Sequence, residues 1–238
     1  MRQIRRQGFD LYVGVPCSFL KPLINYAIDD PQLEYVAANN EGEAVAYAFG
    51  AWLAGRKAVV MFQNSGLGNT INPLSSLAIP FQVPLLLITT WRGEPGLKDE
   101  PQHDVMGRAT ADLLTLLGIV NVVADGQEGG LAGQLADAAD HIHACSIPYG
   151  LILRKGTVEP YDLQTAGAAA PQRPPCSVLP PQREETEMSR YDCIRVIADL
   201  AGEEHVVIAT TGKTGRELFT YRDSDNHLYV VGGMGCAG

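Results

Sequence analysis

Two glutamates, Glu41 and Glu43, open the apolar run NNEGEAVAYAFGAWLAG over residues 39–55. Asn40 is placed to cap a helix, and Glu43 sits three residues on, at capping-box spacing. That spacing, with the preference for acids in a first helical turn, gives Glu43 a structural explanation. Glu41 falls at the first helical position, directly after the strand-like LEYVAA. In open α/β sheets, ligands bind beyond the carboxyl ends of the strands. Glu41 is therefore either a carboxylate that favours the helix dipole or one that shares a proton with a ligand in a partly desolvated crevice.

Three further stretches carry chemistry-bearing residues. QNSGLGNTINP (63–73) follows a strong strand and places Gly66 and Gly68 where a backbone can approach a ligand, with Pro73 expected in the first turn of the next helix. It reads equally as a tight strand-to-helix turn, and it lacks the G-x-G-x-x-G spacing of a dinucleotide site. TTWRGEPGLKDEPQH (89–103) crowds Arg92, Glu94, Lys98, Asp99, Glu100 and His103 into a loop whose path two prolines and two glycines restrict. Arg92 and Lys98 are candidates to hold a doubly charged anion, and His103 is a candidate to move a proton near neutral pH. TTGKTG (210–215) is not a P-loop, because Val207 occupies the position of the required first glycine. Thr211 and the backbone around Gly212 could still touch a phosphate at a helix start.

The elements that must position these groups alternate. Apolar runs over 10–15, 33–38, 58–62, 84–90, 119–124 and 149–154 read as strands, and helical patterns fall near 18–28, 41–54, 69–79, 105–117 and 127–144. This predicts an α/β, doubly wound parallel sheet over residues 1–160, its strands buried on both faces. Residues 161–188, rich in Pro, Ala and Gln, read as a linker. From 189 to 238 the pattern restarts as helix 190–202, strand 205–210, helix 215–221 and strand 227–233. Roughly 50 residues do not close an independent doubly wound core, so an incomplete second α/β domain is expected.

Composition narrows the function classes. Of 238 residues, 46% are hydrophobic and 19% charged, so a large core is within reach. A formal net charge of −9 argues against a nucleic-acid binder. The five cysteines, Cys17, Cys145, Cys176, Cys193 and Cys236, form no C-x-x-C pair and fit a reducing, cytoplasmic setting. The basic start MRQIRRQGFD lacks the apolar stretch of a signal peptide, and no run is long enough to span a bilayer.

Taken together, GVPCSFL, NNEGEAVAYAFG, QNSGLGNTINPLSSL, WRGEPGLKDEPQH, TTGKTGRELF and VVGGMG resemble thiamine diphosphate-dependent decarboxylases, the phosphonopyruvate and sulfopyruvate enzymes among them. The resemblance implies a pyrimidine-binding domain followed by the start of a diphosphate-binding domain. It implies non-oxidative decarboxylation of 3-phosphonopyruvate to phosphonoacetaldehyde and CO2. Glu41 would hydrogen-bond the aminopyrimidine and promote its imino tautomer, with Ser18 and His103 as further catalytic candidates. Asn64, Ser65, Gly66, Thr211, Gly212, Gly232 and Met234 would line the cofactor. Ser18, Arg92 and Lys98 would face a 2-oxo acid bearing a phosphonate or sulfonate group, although Arg92 and Lys98 rest on charge alone.

The Gly-Asp-Gly motif that holds Mg2+ in the family would lie beyond Gly238, so no metal ligand is assigned within the chain. A homodimer or higher oligomer is expected, or a second chain supplying the rest of the diphosphate-binding domain. The break inside a domain points to truncation more than to a natural subunit boundary, and to a chain inactive or incomplete alone. Two alternatives stay open: a subunit of a two-chain sulfopyruvate decarboxylase, and a catalytically silent oligomeric remnant. Neither nucleic acid nor membrane is expected as a partner.

Overall fold

The computed structural model describes residues 1–124, 126–165, 188–210 and 212–230. The chain divides into two compact units, one over Met1–Gln164 and a second over Thr165–Val231.

In the first unit, helix α1 (Arg2–Arg6) leads into β1 (Phe9–Gly14), α2 (Lys21–Asp29), β2 (Glu34–Ala37), α3 (Glu41–Leu53) and β3 (Lys57–Phe62). A 3-10 turn (Asn64–Gly66) then runs into α4 (Leu67–Pro73) and a π turn (Leu74–Ala78). β4 (Leu86–Thr90), a 3-10 turn (Pro101–His103), α5 (Asp104–Leu116), β5 (Val120–Val123), α6 (Glu128–Cys145) and β6 (Tyr149–Leu153) complete it. The six strands form one parallel sheet in the order β2-β1-β3-β4-β6-β5. Every described residue of β4 and β6 is buried, and β3 is buried beyond Lys57. That burial is why these strands are written as unbroken apolar runs. The edge strands β2 and β5 are only half-buried, and their sequences carry Glu34 and Asn121.

All six expected strands are present, in the doubly wound arrangement expected. One element was not anticipated. The basic N-terminal stretch forms α1, a single short helix held from outside: Ile4 enters the core, and Arg5 reaches Asp30 at 3.0 Å. Pro73, expected in a first helical turn, instead ends α4. The helical path begins nine residues earlier, at the 3-10 turn from Asn64, because NSG curls directly off β3.

In the second unit, α7 (Arg190–Leu200), β7 (Val207–Thr210), α8 (Lys213–Tyr221) and β8 (His227–Val230) form a β-α-β crossover with one preceding helix. β7 and β8 pair in parallel. Ser189 caps α7 in a reciprocal capping box with Asp192. A small core of Ile194, Ala198, Ala209 and Leu218 joins these elements.

Candidate active site

Because the strands are parallel, the segments leaving β1, β2, β3 and β4 emerge at one edge of the sheet. The chain reverses its winding direction between β1 and β3, and such a reversal opens a crevice at that edge.

Glu41 is the first residue of α3 and half-buried. Three neighbours determine where its carboxylate lies. Asn69 Nδ2 donates to Glu41 Oε2 at 2.7 Å. Gly66 provides the floor: a Cβ there would stand 2.6 Å from Glu41 Cγ, and nearer still to the carboxyl carbon. Asn40 caps the helix by accepting from the Gly42 N–H at 2.7 Å. Glu43 turns back to accept from the Asn39 N–H at 2.8 Å, one residue before the N-cap, so it has a structural task but does not close the capping box its spacing indicates. Pro73 adds a fourth constraint. It has no N–H for the carbonyl of Asn69 four residues earlier, and α3 fits against that carbonyl through Gly42, where a Cβ would come within 2.8 Å. Among the described residues no group donates to Glu41 Oε1, so one oxygen is anchored and the other is left for a ligand.

The loop after β4 is organised around Asp99. Arg92 donates to it through Nε at 2.8 Å and Nη2 at 2.6 Å, Gly93 N–H and Glu100 N–H each at 2.8 Å, and His103 Nδ1 lies 3.1 Å away. The bidentate Arg92 fork holds the Asp99 carboxyl far below the usual carboxylate range. The Gly93, Glu100 and His103 hydrogen bonds act the same way, against the opposing effect of burial. Arg92 was expected to grip a substrate anion, but Asp99 occupies its fork and its guanidinium lies over the Phe19 ring. Lys98 is exposed and, among the described residues, forms no ion pair.

The depressed Asp99 carboxyl makes a stability prediction. Its contribution is complete above the unfolded carboxylate value of about 4 and fades as the pH falls through the lower folded value. In denaturant unfolding, the gap between the wild-type chain and D99N should stay constant between about pH 5 and 7 and narrow below about pH 4. A gap that widened with acid would contradict this.

Asn64, expected against the cofactor, is buried instead. Its Oδ1 accepts from Arg92 N–H at 2.9 Å, and its Nδ2 donates to Arg92 O at 2.8 Å and Thr110 Oγ1 at 3.0 Å. The side chain therefore ties the β3 turn to the β4 loop and α5. α5 meets the same loop at two glycines. Gly93 holds φ +70°, and a Cβ on Gly107 would stand 2.7 Å from Gly93 Cα and nearer still to its carbonyl. G107A should cost about 1–3 kcal/mol in a denaturant titration, because backbone meets backbone and neither can rotate away. A change below about 0.5 kcal/mol, as at an ordinary surface position, would refute that packing.

Of the other expected site residues, Ser18 is exposed in the turn after β1, beside Cys17. Ser65 is exposed and accepts from Gln63 Nε2 at 2.7 Å. Gly212, in the second unit, caps α8 with φ +90°. Thr211, Gly232 and Met234 lie outside the described residues. Three residues given no role in the sequence reading enter the site: Asn69, Asp99 and Gln63. Asp99 had a legible signal in its i,i+4 spacing to His103. Gln63 and Asn69 had none beyond standing near the end of a strand. Among the described residues, no group of three or more His, Cys, Asp or Glu side chains could hold a metal ion, and no helix is long and apolar enough to cross a membrane.

Residues 1–113 match the family described as thiamine pyrophosphate enzyme, N-terminal TPP binding domain. The chain is 42% identical to the phosphonopyruvate decarboxylase of Streptomyces viridochromogenes, in a match covering 97% of this chain and 58% of that protein. It is 38% identical to the sulfopyruvate decarboxylase subunit alpha of Methanococcus maripaludis, covering 48% of this chain and 67% of that subunit. The chain belongs to the thiamine pyrophosphate enzyme family. The phosphonopyruvate decarboxylase of Streptomyces hygroscopicus is 40% identical, over 97% of this chain and 57% of that protein. The chain thus spans less than three fifths of the length of both phosphonopyruvate decarboxylases. The carboxyl-edge site fits the family's cofactor: Glu41 offers one oxygen unengaged among the described residues, above a turn that lacks a side chain at Gly66.

Proposed function

We propose that the chain is the pyrimidine-binding part of a thiamine diphosphate-dependent decarboxylase that converts 3-phosphonopyruvate to phosphonoacetaldehyde and CO2. The observation that carries this reading is Glu41, anchored by Asn69, laid over Gly66, and, among the described residues, free at Oε1. The two Streptomyces phosphonopyruvate decarboxylases, similar over 97% of the chain, support the substrate class.

When bound, thiamine diphosphate supplies the nucleophilic carbon and the electron sink for decarboxylation. Everything else falls to the chain. Glu41 Oε1 holds the proton exchanged with the ring nitrogen of the cofactor's pyrimidine. Backbone of the Ser65–Gly66 turn would line the pyrimidine. Ser18 and Lys98, both exposed at the carboxyl edge, meet the oxo acid and its phosphonate. Arg92 serves indirectly, by fixing Asp99 and so the loop that carries Lys98 and His103. Thr211, Gly212, Gly232 and Met234 stay assigned to the cofactor by resemblance. Mg2+ would be held by residues of the diphosphate-binding part. Exposed Tyr47 and Leu53 on α3 support assembly with a second copy or chain, and the free thiols of Cys17, Cys145 and Cys193 support a cytoplasmic setting.

A second reading, a sulfopyruvate decarboxylase subunit, is favoured by the Methanococcus maripaludis match, which takes in 67% of that subunit but only 48% of this chain. The test is an assay of the chain with thiamine diphosphate, Mg2+ and the separately expressed C-terminal portion of the Streptomyces viridochromogenes relative. Phosphonoacetaldehyde from phosphonopyruvate is expected. Preferential turnover of sulfopyruvate would favour the second reading, and no product from either would reject both.

A further inference from the structure

His103 is buried, yet both its ring nitrogens face protein. Nδ1 lies 3.1 Å from Asp99 Oδ1 and Nε2 lies 3.5 Å from Gln63 Nε2. Gln63 is engaged at both ends of its amide: Nε2 donates to Ser65 Oγ at 2.7 Å, and Oε1 accepts from Cys17 Sγ at 3.2 Å. These contacts run without a break from the β4 loop, through the β3 turn, to the β1 loop.

The donor and acceptor inventory allows few assignments. An ionised Asp99 only accepts, so Nδ1 must carry a hydrogen. The Gln63 amide nitrogen only donates, so a neutral ring must offer it the Nε2 lone pair; a hydrogen on Nε2 would set two N–H groups against each other. We propose that Asp99 and Gln63 are positioning residues that hold His103 as a neutral imidazole, protonated at Nδ1, with Nε2 as the ring atom that takes up and releases a proton. An acid fixing one nitrogen so that the other can work is how carboxylate–histidine pairs act in unrelated enzymes.

The arrangement also makes the exchange a two-position device. If Nε2 gains a proton, the Gln63 amide must turn over so that Oε1 faces the ring. Cys17 then loses its acceptor, and the Ser65 hydroxyl must donate where it had accepted. Proton uptake at His103 is thereby coupled to the β1 loop that carries Ser18. The catalytic use of this coupling rests on the decarboxylase reading above; the state of the ring does not.

Nitrogen-15 NMR of the histidine rings in the chain, without cofactor or substrate, tests the proposal directly. Only five histidines must be assigned. The wild-type His103 ring is expected to show a bonded proton on Nδ1 and none on Nε2 at neutral pH. In Q63E the new carboxylate can only accept, so His103 is expected to appear as the imidazolium, with protons on both nitrogens, at the same pH. In D99N the anionic acceptor is gone, and the Nδ1-protonated form should fall from sole species to one of a mixture. A wild-type ring protonated at Nε2, or an unchanged neutral ring in Q63E, would overturn the proposal. The wild-type signal decides it even if neither variant folds. A failed decarboxylation assay would bear on the function alone.

Discussion

E41Q is expected to lower decarboxylation by about 10²–10⁴-fold, the range associated with removing a positioned proton-transfer group. The substitution is nearly isosteric, and the new amide oxygen can still accept from Asn69. Stability should therefore change by less than about 0.5–1 kcal/mol, as at positions where neither packing nor a cap is lost. That pairing, a large loss of rate with little loss of stability, separates proton transfer from a merely dipole-stabilising glutamate. A helix-dipole role alone predicts a similar stability change, a loss of about 0.3–1 kcal/mol, but no kinetic effect beyond it, so the rate decides. N69A is an intermediate case. It leaves the carboxylate in place but removes the 2.7 Å hydrogen bond that aims it. A loss of about tenfold in rate is expected, equivalent to roughly 1.4 kcal/mol for one hydrogen bond to a charged group.

G66A should approach the E41Q defect without touching the carboxylate chemistry. Gly66 has φ −88° and ψ −1°, a conformation alanine adopts freely, so its effect is steric and not a matter of backbone strain. The added methyl would overlap the Glu41 carboxyl group. Glu41 is flexible and can swing aside, which keeps the stability cost to about 1–3 kcal/mol. Swinging aside also takes the carboxylate away from the turn where the ligand is proposed to lie. Combining G66A with E41Q should add little to the loss from E41Q alone, because both act through one group. Near-normal turnover by G66A would mean that the observed seat of Glu41 is not its working position.

The sheet was legible because burial on both faces leaves a strong mark. LLLITT and VVMF have few other uses than as central strands. Glu41 was visible as a carboxylate opening an otherwise apolar helix, but the helix dipole explained it equally well, and its role came from the resemblance alone. Helix α1 was not legible. Five residues carry no period, and what holds them is tertiary: Ile4 in the core and Arg5 on Asp30. The charge of Arg92 was visible in the sequence, but not its partner. The loop must first turn at Gly93, with φ +70°, before Asp99 can meet the guanidinium fork. Asn64 was expected against the cofactor through the resemblance alone. Its hydrogen-bond partners in the structure are the backbone of Arg92 and the hydroxyl of Thr110, 28 and 46 residues away. Gln63 was invisible for the same reason, since it joins Cys17 to His103 only after three loops have been brought to one edge of the sheet.

The most direct measurement is the rate at which the thiazolium C2 proton of thiamine diphosphate exchanges for deuterium, followed by NMR with the chain supplemented by the C-terminal portion of the Streptomyces viridochromogenes relative, saturating cofactor and Mg2+. Exchange in the presence of the wild-type chain should exceed that of the free cofactor, and E41Q should abolish most of the gain, about 10²-fold or more. A wild-type rate equal to that of free cofactor, or an E41Q rate equal to wild type, would contradict the role assigned to Glu41.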